Sequence, residues 1–470
     1  MRRHILFYIF FLFTLSSFSQ KNWTLEECIN RAKEENLDIK QIKLSLLSSE
    51  QQLLQSKLSL FPSLNGGGSQ GYNYGRMVDP YSNEFTNLNV NTNNFSLYST
   101  ITLFNGFQNI NEVKRANYEY MARKYDIEEV INDISITVTT DFLQLLFNKE
   151  LVIMAEKQLD ISLQQEERIS KLVKEGQLAK SSLLETRSQV ASEKLQLVRT
   201  KSQKEIVLLN IKQLLEIEAN NNFEILVPAI SLPDQKKIPS TEEIYTSALE
   251  VFPNVKSAEY RLKSSTKSLA ISRGGRSPRI ILNGSMGSGY SDARTRITEI
   301  DSLGMMPSGY QLSSGENVLM PILDLNSEIT PFNQQLKDNF SQSLSFSLSI
   351  PIFNGWMTNS SIANAKITVM SARNDLQKTK NKLRKQSEQV RADVIAAEKQ
   401  FQFAQKSAEA LQESFSYNEQ KFNEGMLNVY DYNDAKNKFI KAQSDLLQAK
   451  YDYLFKIKIL DFFMGNPLTL

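Results

Sequence analysis

Histidine is nearly absent from this chain. The only one is His4, so the rest of the sequence can build neither a Ser-His-Asp triad nor a histidine metal site. Cysteine occurs once, at Cys28, and a lone thiol forms no intramolecular disulfide. It reads as a small buried helix residue rather than a reactive thiol. Neither sign of charge is in excess: 54 Lys and Arg stand against 52 Asp and Glu. Nucleic-acid affinity rests on surplus basic charge, and this chain offers a formal surplus of only +2. Proline and glycine are missing from four long stretches, 107–175, 177–227, 356–424 and 426–464. Nothing in those stretches breaks a helix.

The first residues, MRRHILFYIFFLFTLSSFSQ, place two arginines before an apolar run and then small residues. This is the pattern of a secretory signal peptide over 1–20, with cleavage expected after Ser19 or Gln20. The apolar run is short for a bilayer anchor. Its removal takes away His4, Arg2 and Arg3, and brings the formal charge from +2 to zero. Cys28 lies too far from the cleavage site to be a lipidated first residue. No other segment reads as a transmembrane helix, so an exported chain that crosses a membrane must do so with strands.

The sequence repeats itself. TLEECINRA at 24–32 resembles TEEIYTSA at 241–248, offset by 216, and the same offset aligns Pro62 with Pro278. LFNGF at 103–107 aligns with IFNGW at 352–356, offset by 249, as do Glu175-Gly176 and Glu424-Gly425. The difference, 33 residues, is an insertion between 278 and 352. The expected organisation is a first repeat over 21–220, a connector or equatorial region over 221–238, and a second repeat over 239–470.

Each repeat reads helix, strand, loop, strand, then a very long helical hairpin. Ile127, Ile131, Ile134, Val138, Phe142 and Leu145 step by three or four, as an amphipathic helix requires. A helix of nearly 70 residues would be about 100 Å long and must pack along its length, as coiled coils do. The hairpins are expected at 107–220 and 356–464, with tips at Gly176 and Gly425. Strands are expected at about 63–76, 94–104, 279–290 and 339–353.

In FSQSLSFSLSIPIFNGW, 340–356, serines occupy 341 to 349 at every second position, opposite apolar residues. Phe95, Leu97, Ile101 and Leu103 alternate in the same way with Ser96, Tyr98, Thr100 and Thr102. Strands with one apolar and one small-polar face suit a membrane β-barrel. Tyr72, Tyr74 and Tyr290 suit its interfacial girdle. Half of a soluble sandwich is the competing reading, and it fits poorly beside two such hairpins. Four strands cannot close a barrel, and open edges are not tolerated in lipid, so the chain is expected to oligomerise. Segments 77–93 and 291–338 are expected as external loops.

The duplication, the LFNG and IFNG strand ends, and the breaks at VKEGQLAKSSLLET and FNEGMLNVYDYNDA together resemble the TolC-like outer membrane efflux and secretion channels. The resemblance spans essentially the whole chain after the leader. It implies an α+β membrane protein in which three copies, each giving 4 strands, form a 12-stranded barrel in outer membrane lipid. The barrel would continue into a periplasmic tunnel of coiled helices. It also implies docking by a periplasmic adaptor and an inner-membrane transporter, no cofactor, no metal and no chemistry. The resulting expectation is the passive exit duct of a tripartite efflux pump or a type I secretion system. A structural or adhesive surface protein on the same scaffold is the alternative.

By the same resemblance Leu172, Leu178, Phe422 and Leu427, flanking Gly176 and Gly425, are candidate adaptor contacts; as plain residues they equally suit coiled-coil packing. Asp431 and Asp434 match positions where some relatives constrict the tunnel with carboxylate rings, which favour cations. Read without the resemblance, they are a solvated acidic helix face. Where the best-known channel holds its hairpins closed with polar and charged side chains, this chain has Ser182, Phe422 and Leu427, so that network cannot form in the same way. GGGSQG at 66–71 fits a dinucleotide motif in spelling, but it lies within a strand and fails the strand-to-helix context.

Overall fold

The computed structural model describes residues 22–81, 83–86, 89–228 and 238–470. The expected leader at 1–20 lies outside the described residues, as do 229–237 of the expected connector. In the first half the elements are β1 (Asn22–Trp23), α1 (Leu25–Glu35), α2 (Leu37–Leu58), β2 (Ser63–Asn73), β3 (Met77–Val78), β4 (Phe85–Thr86), β5 (Val90–Phe104), α3 (Gln108–Lys174) and α4 (Lys180–Leu214). Then come β6 (Glu224–Ile225), α5 (Thr241–Val251), α6 (Pro253–Gly274), β7 (Arg279–Ser291), β8 (Thr295–Gln311), β9 (Asn317–Ile329), α7 (Phe332–Asp338), β10 (Ser341–Ser349), α8 (Met357–Asn423) and α9 (Val429–Phe463).

The duplication is carried into every described helix except α7, which only the second repeat has. α1 and α5 each have 11 residues, α2 and α6 each 22, α3 and α8 each 67, α4 and α9 each 35. The shared starts have shared causes. Thr24 and Ser240 each accept from the N–H three residues on, while Glu27 and Glu243 return the bond. Both are capping boxes. Left-handed backbone recurs too, at Gly106-Phe107 and Gly355-Trp356, at Gly176 and Gly425, and at Glu216 and Gly465.

The chain divides into two compact units, and each draws on both repeats. The first comprises residues up to 50 with 118–262 and 371–470. It is helical and has two apolar cores. In one, Cys28 and Ala32 of α1 pack with Val138, Phe142 and Leu146 of α3, Ile211 of α4 and Leu454 of α9. In the other, Ile244 and Ala248 of α5 pack with Leu383 and Val394 of α8 and Leu460 of α9. Part of α3 is apolar and long enough to cross a bilayer by composition, with mean hydropathy 1.2, contrary to the sequence reading. Some of its apolar residues, Val138, Phe142 and Leu146 among them, are these core residues, and 39% of the apolar window is buried.

The second unit, 51–117 with 263–370, holds every described strand except the short parallel pair β1–β6, which lies in the first unit. Its main sheet has the order β10-β7-β5-β2, antiparallel throughout. Strands of the two repeats meet at β5 and β7, where Leu97 faces Met286 and Ile101 faces Leu282. Register places Leu64, Leu97, Met286, Leu282, Leu344 and Phe346 on one face. That face is exposed: Leu64 69%, Leu344 70%, Phe346 70%. The opposite face holds Asn65, Tyr98, Thr100, Asn283, Ser285, Ser343, Ser345 and Ser347. Thr100 Oγ1 donates to Asn283 Oδ1 at 3.2 Å, and Asn283 Nδ2 donates to Ser347 Oγ at 3.3 Å. Among the described residues no strand pairs with the outer edges of β2 and β10.

Three features differ from the sequence reading. β10 ends at Ser349 rather than 353, because Pro351 has no N–H to give the ladder and disfavours strand continuation. Neither expected loop is structureless: 291–338 holds the β8–β9 hairpin and α7, and 77–93 holds β3, β4 and the first residues of β5. Tyr290 packs on Phe332 of α7, with ring centroids 5.3 Å apart, so it is not a free girdle residue. Tyr74 lies just beyond β2.

Candidate functional site

Each long hairpin reverses in five residues, between Lys174 and Lys180 and between Asn423 and Val429. Gly176 and Gly425 both have φ +74°, where a Cβ would crowd the following carbonyl. The carbonyls of Leu172 and Lys421 accept from Gln177 and Met426 N–H, at 2.9 and 2.8 Å. This is the closure of a Schellman motif. The tips differ at the next helix start. Ala179 offers no side-chain cap to α4. Asn428 caps α9, accepting from Asp431 N–H at 2.8 Å.

The expected site residues fall around these turns. Leu172, Leu178, Phe422 and Leu427 are each half-buried. Phe422 stacks on Tyr432, with centroids 4.4 Å apart. Ser182 is half-buried, and its carbonyl accepts from Thr186 Oγ1 at 2.8 Å. Asp431 and Asp434 are exposed on α9. Each has a neighbour: Asn428 Nδ2 donates to Asp431 Oδ2 at 2.7 Å, and Lys438 Nζ lies 2.7 Å from Asp434 Oδ2. The Asp434 carboxylate holds the exposed Lys438 ammonium above its usual range. Exposed i,i+4 pairs of this kind contribute little stability.

Sequence reading missed a polar network that joins the two hairpins. Arg168 of α3 donates to Asn423 Oδ1 at 2.6 Å. Gln189 of α4 donates to Asn437 Oδ1 at 2.8 Å, and Asn437 Nδ2 to Gln189 Oε1 at 3.3 Å. Lys436, 3% exposed, donates to Ser162 Oγ and, at 3.3 Å, to Glu193 Oε1. Burial pulls the Lys436 ammonium down, and Glu193 opposes that. Burial, then the Glu419 and Glu193 carboxylates, pushes the Tyr432 phenol up to about 12. A signal was present: Lys436 continues the buried column of Val429 and Tyr432 at helical spacing.

A cleft of about 570 Å³ runs beside this network, lined by Leu151, Met154, Ile161, Phe415, Phe439 and the Glu193–Lys436 pair. Among the described residues no His, Cys, Asp or Glu cluster could hold a metal.

A family model described as outer membrane efflux protein matches residues 28–215 and 244–466. No curated protein sequence matches significantly. Among solved structures, the chain is similar to the outer membrane protein VceC of Vibrio cholerae. TM-score is 0.75 and identity 12%, over 94% of this chain and 96% of that one. The Campylobacter jejuni CmeC outer membrane channel gives 0.74 and 17%, over 95% and 87%. The open state of the Neisseria gonorrhoeae MtrE outer membrane channel gives 0.70 and 16%, over 95% and 90%. At these identities the likeness establishes the fold, that of the TolC-like channels.

Proposed function

The chain belongs to the outer membrane efflux protein family, and on that premise we propose that it is the trimeric exit duct of a tripartite efflux pump or type I secretion system. The β10-β7-β5-β2 sheet carries the reading, with one exposed apolar face, one small-polar face and two edges that no described strand pairs. Unpaired edges are not tolerated in lipid, and the smallest bacterial barrels have 8 strands. Each repeat, 21–220 and 239–470, supplies two strands and one hairpin to a 12-stranded barrel and a periplasmic tunnel.

In this reading Leu64, Leu344 and Phe346 meet lipid, while Ser343, Ser345, Thr100 and Asn283 line water. Transport is passive, and an inner-membrane transporter supplies the energy. The tips at Gly176 and Gly425 meet a periplasmic adaptor through Leu172, Leu178, Phe422 and Leu427. Asp431 and Asp434, three apart on one helix face, give six carboxylates around the tunnel in a trimer. The Arg168–Asn423, Gln189–Asn437 and Lys436–Glu193 contacts take over the hairpin-holding role that Ser182, Phe422 and Leu427 cannot fill.

Planar-bilayer recording of the purified protein tests the duct. The expected result is a cation-preferring conductance. Replacing Asp431 and Asp434 with Ala raises the resting conductance or weakens block by multivalent cations. A protein that inserts but never conducts would contradict the duct. Unchanged conductance and block in the double variant would remove those two residues from the pore.

A further inference from the structure

The 33-residue difference between the repeats has become an arm. β8 and β9 pair along their length, and the 17 residues of β8 span about 55 Å at ~3.3 Å per residue. Among the described residues, the corresponding place in the first repeat holds the two-residue strands β3 and β4.

Register defines its faces, since directly paired residues share a face and neighbours alternate. Leu319, Leu323, Leu325 and Ile329 of β9 lie on one face. Ile300 opposite Leu325 and Ile297 opposite Ser327 join them. All six are 49–58% exposed. Met305 faces Pro321 within the same stripe. The other face turns polar toward the root, with Asp301 opposite Asp324 and Arg296 bridged to Glu328 at 2.5 Å.

The root is held in one arrangement. Gln335 of α7, fully buried, accepts from Ser291 N–H at 3.0 Å and donates to the carbonyls of Ser291 and Thr330, both at 2.8 Å. Ser291 Oγ donates to Asp79, and Arg294 donates to Asn339. Asn91 binds both oxygens of Asp292, at 2.8 and 2.7 Å. A hairpin anchored so firmly presents its apolar stripe in a set direction.

We propose that this stripe is covered by the same stripe of neighbouring copies of this chain, so that the arms associate beyond the shared barrel. The inference rests on the trimeric reading above. Magnitude favours copies over a free partner. A fully buried aliphatic side chain corresponds to roughly 60–120 Å², so a half-exposed stripe of this size offers on the order of 400 Å². That is enough to mark an interface, but about half of what each side of a free-standing complex buries. Arms rooted in one barrel meet at high effective concentration and need less. Charge disfavours an anionic lipid surface: Glu299, Asp301, Glu316, Asp324 and Glu328 stand against Arg296 alone. Asp301, Asp324 and Glu328 lie on the face away from the stripe, so stacking the stripes leaves them in water.

Cysteine cross-linking in outer membranes tests it, because the native Cys28 is fully buried. Under mild oxidation Leu323→Cys should move most of the chain to twice its mass, while Asn326→Cys on the opposite face should not. Met305→Cys, in the same stripe, repeats the test if Leu323→Cys fails to reach the membrane. A Leu323→Cys chain that stays single, and reacts with a maleimide on intact cells as fast as Asn326→Cys, would overturn the proposal. So would a cross-link to a different protein. In both cases a three-protomer detergent-corrected mass would leave the trimeric reading standing. A one-protomer mass would remove the trimeric reading and the proposal together.

Discussion

Lys436 and Glu193 are charges on the buried faces of α9 and α4, 3% and 8% exposed. Removing one partner strands the other charge out of water. Lys436→Met should therefore cost about 3–5 kcal/mol in thermal or denaturant unfolding, and adding Glu193→Leu should recover most of it. Equal loss in the single and double variants would contradict the pairing. On α3, burial raises the carboxyls of Asp141, Asp133 and Glu129. A carboxyl raised by folding costs stability while it is ionised, and the cost lifts as pH falls through its folded value. Asp141→Asn should raise the melting temperature at neutral pH. Acidification from neutral pH should raise it more in the parent than in the variant. At this scale the sequence was half legible. The tip glycines and the small buried Cys28 are evident in it. The pair is only half evident: Lys436 falls at helical spacing on the column of Val429 and Tyr432, but Glu193 reads as surface until its partner helix is known.

The long helices were legible in full, since 67 residues without Pro or Gly, with apolar steps of three and four, have few other structures. Their turns allow a graded test. Gly176 and Gly425 have φ +74° and nothing within 4 Å of an added Cβ. Alanine at either should cost about 1–2 kcal/mol, the conformational penalty alone. Gly106 has φ +66°, and a Cβ there would lie 2.5 Å from the Gly274 carbonyl oxygen. Gly106→Ala should lose clearly more, measured by melting temperature and by yield in outer membranes. Similar losses at all three would deny the close approach at Gly106. The β8–β9 arm was illegible for an identifiable reason. Register shifts at Ile297/Glu299 and Ser302/Gly304 break its alternation, so the strand period is lost in a stretch that also contains Gly, Ser and Pro.

For the whole molecule, duplication was readable because offsets of 216 and 249 recur in caps, turns and helix lengths. The four-stranded sheet was readable from alternation, though its strand ends differ, β2 stopping at Asn73, β5 starting at Val90 and β10 stopping at Ser349. Partners and cargo leave no mark of that kind, since they are met by surfaces rather than by a core. The central claim is that the sheet, whose outer strands β2 and β10 have no outward partner among the described residues, is closed by other copies. The most direct test is the detergent-corrected mass of the protein extracted from outer membranes. The account predicts three protomers. A stable single protomer would leave open edges in lipid, which hydrogen bonding forbids, and would contradict the barrel and every pore residue assigned from it.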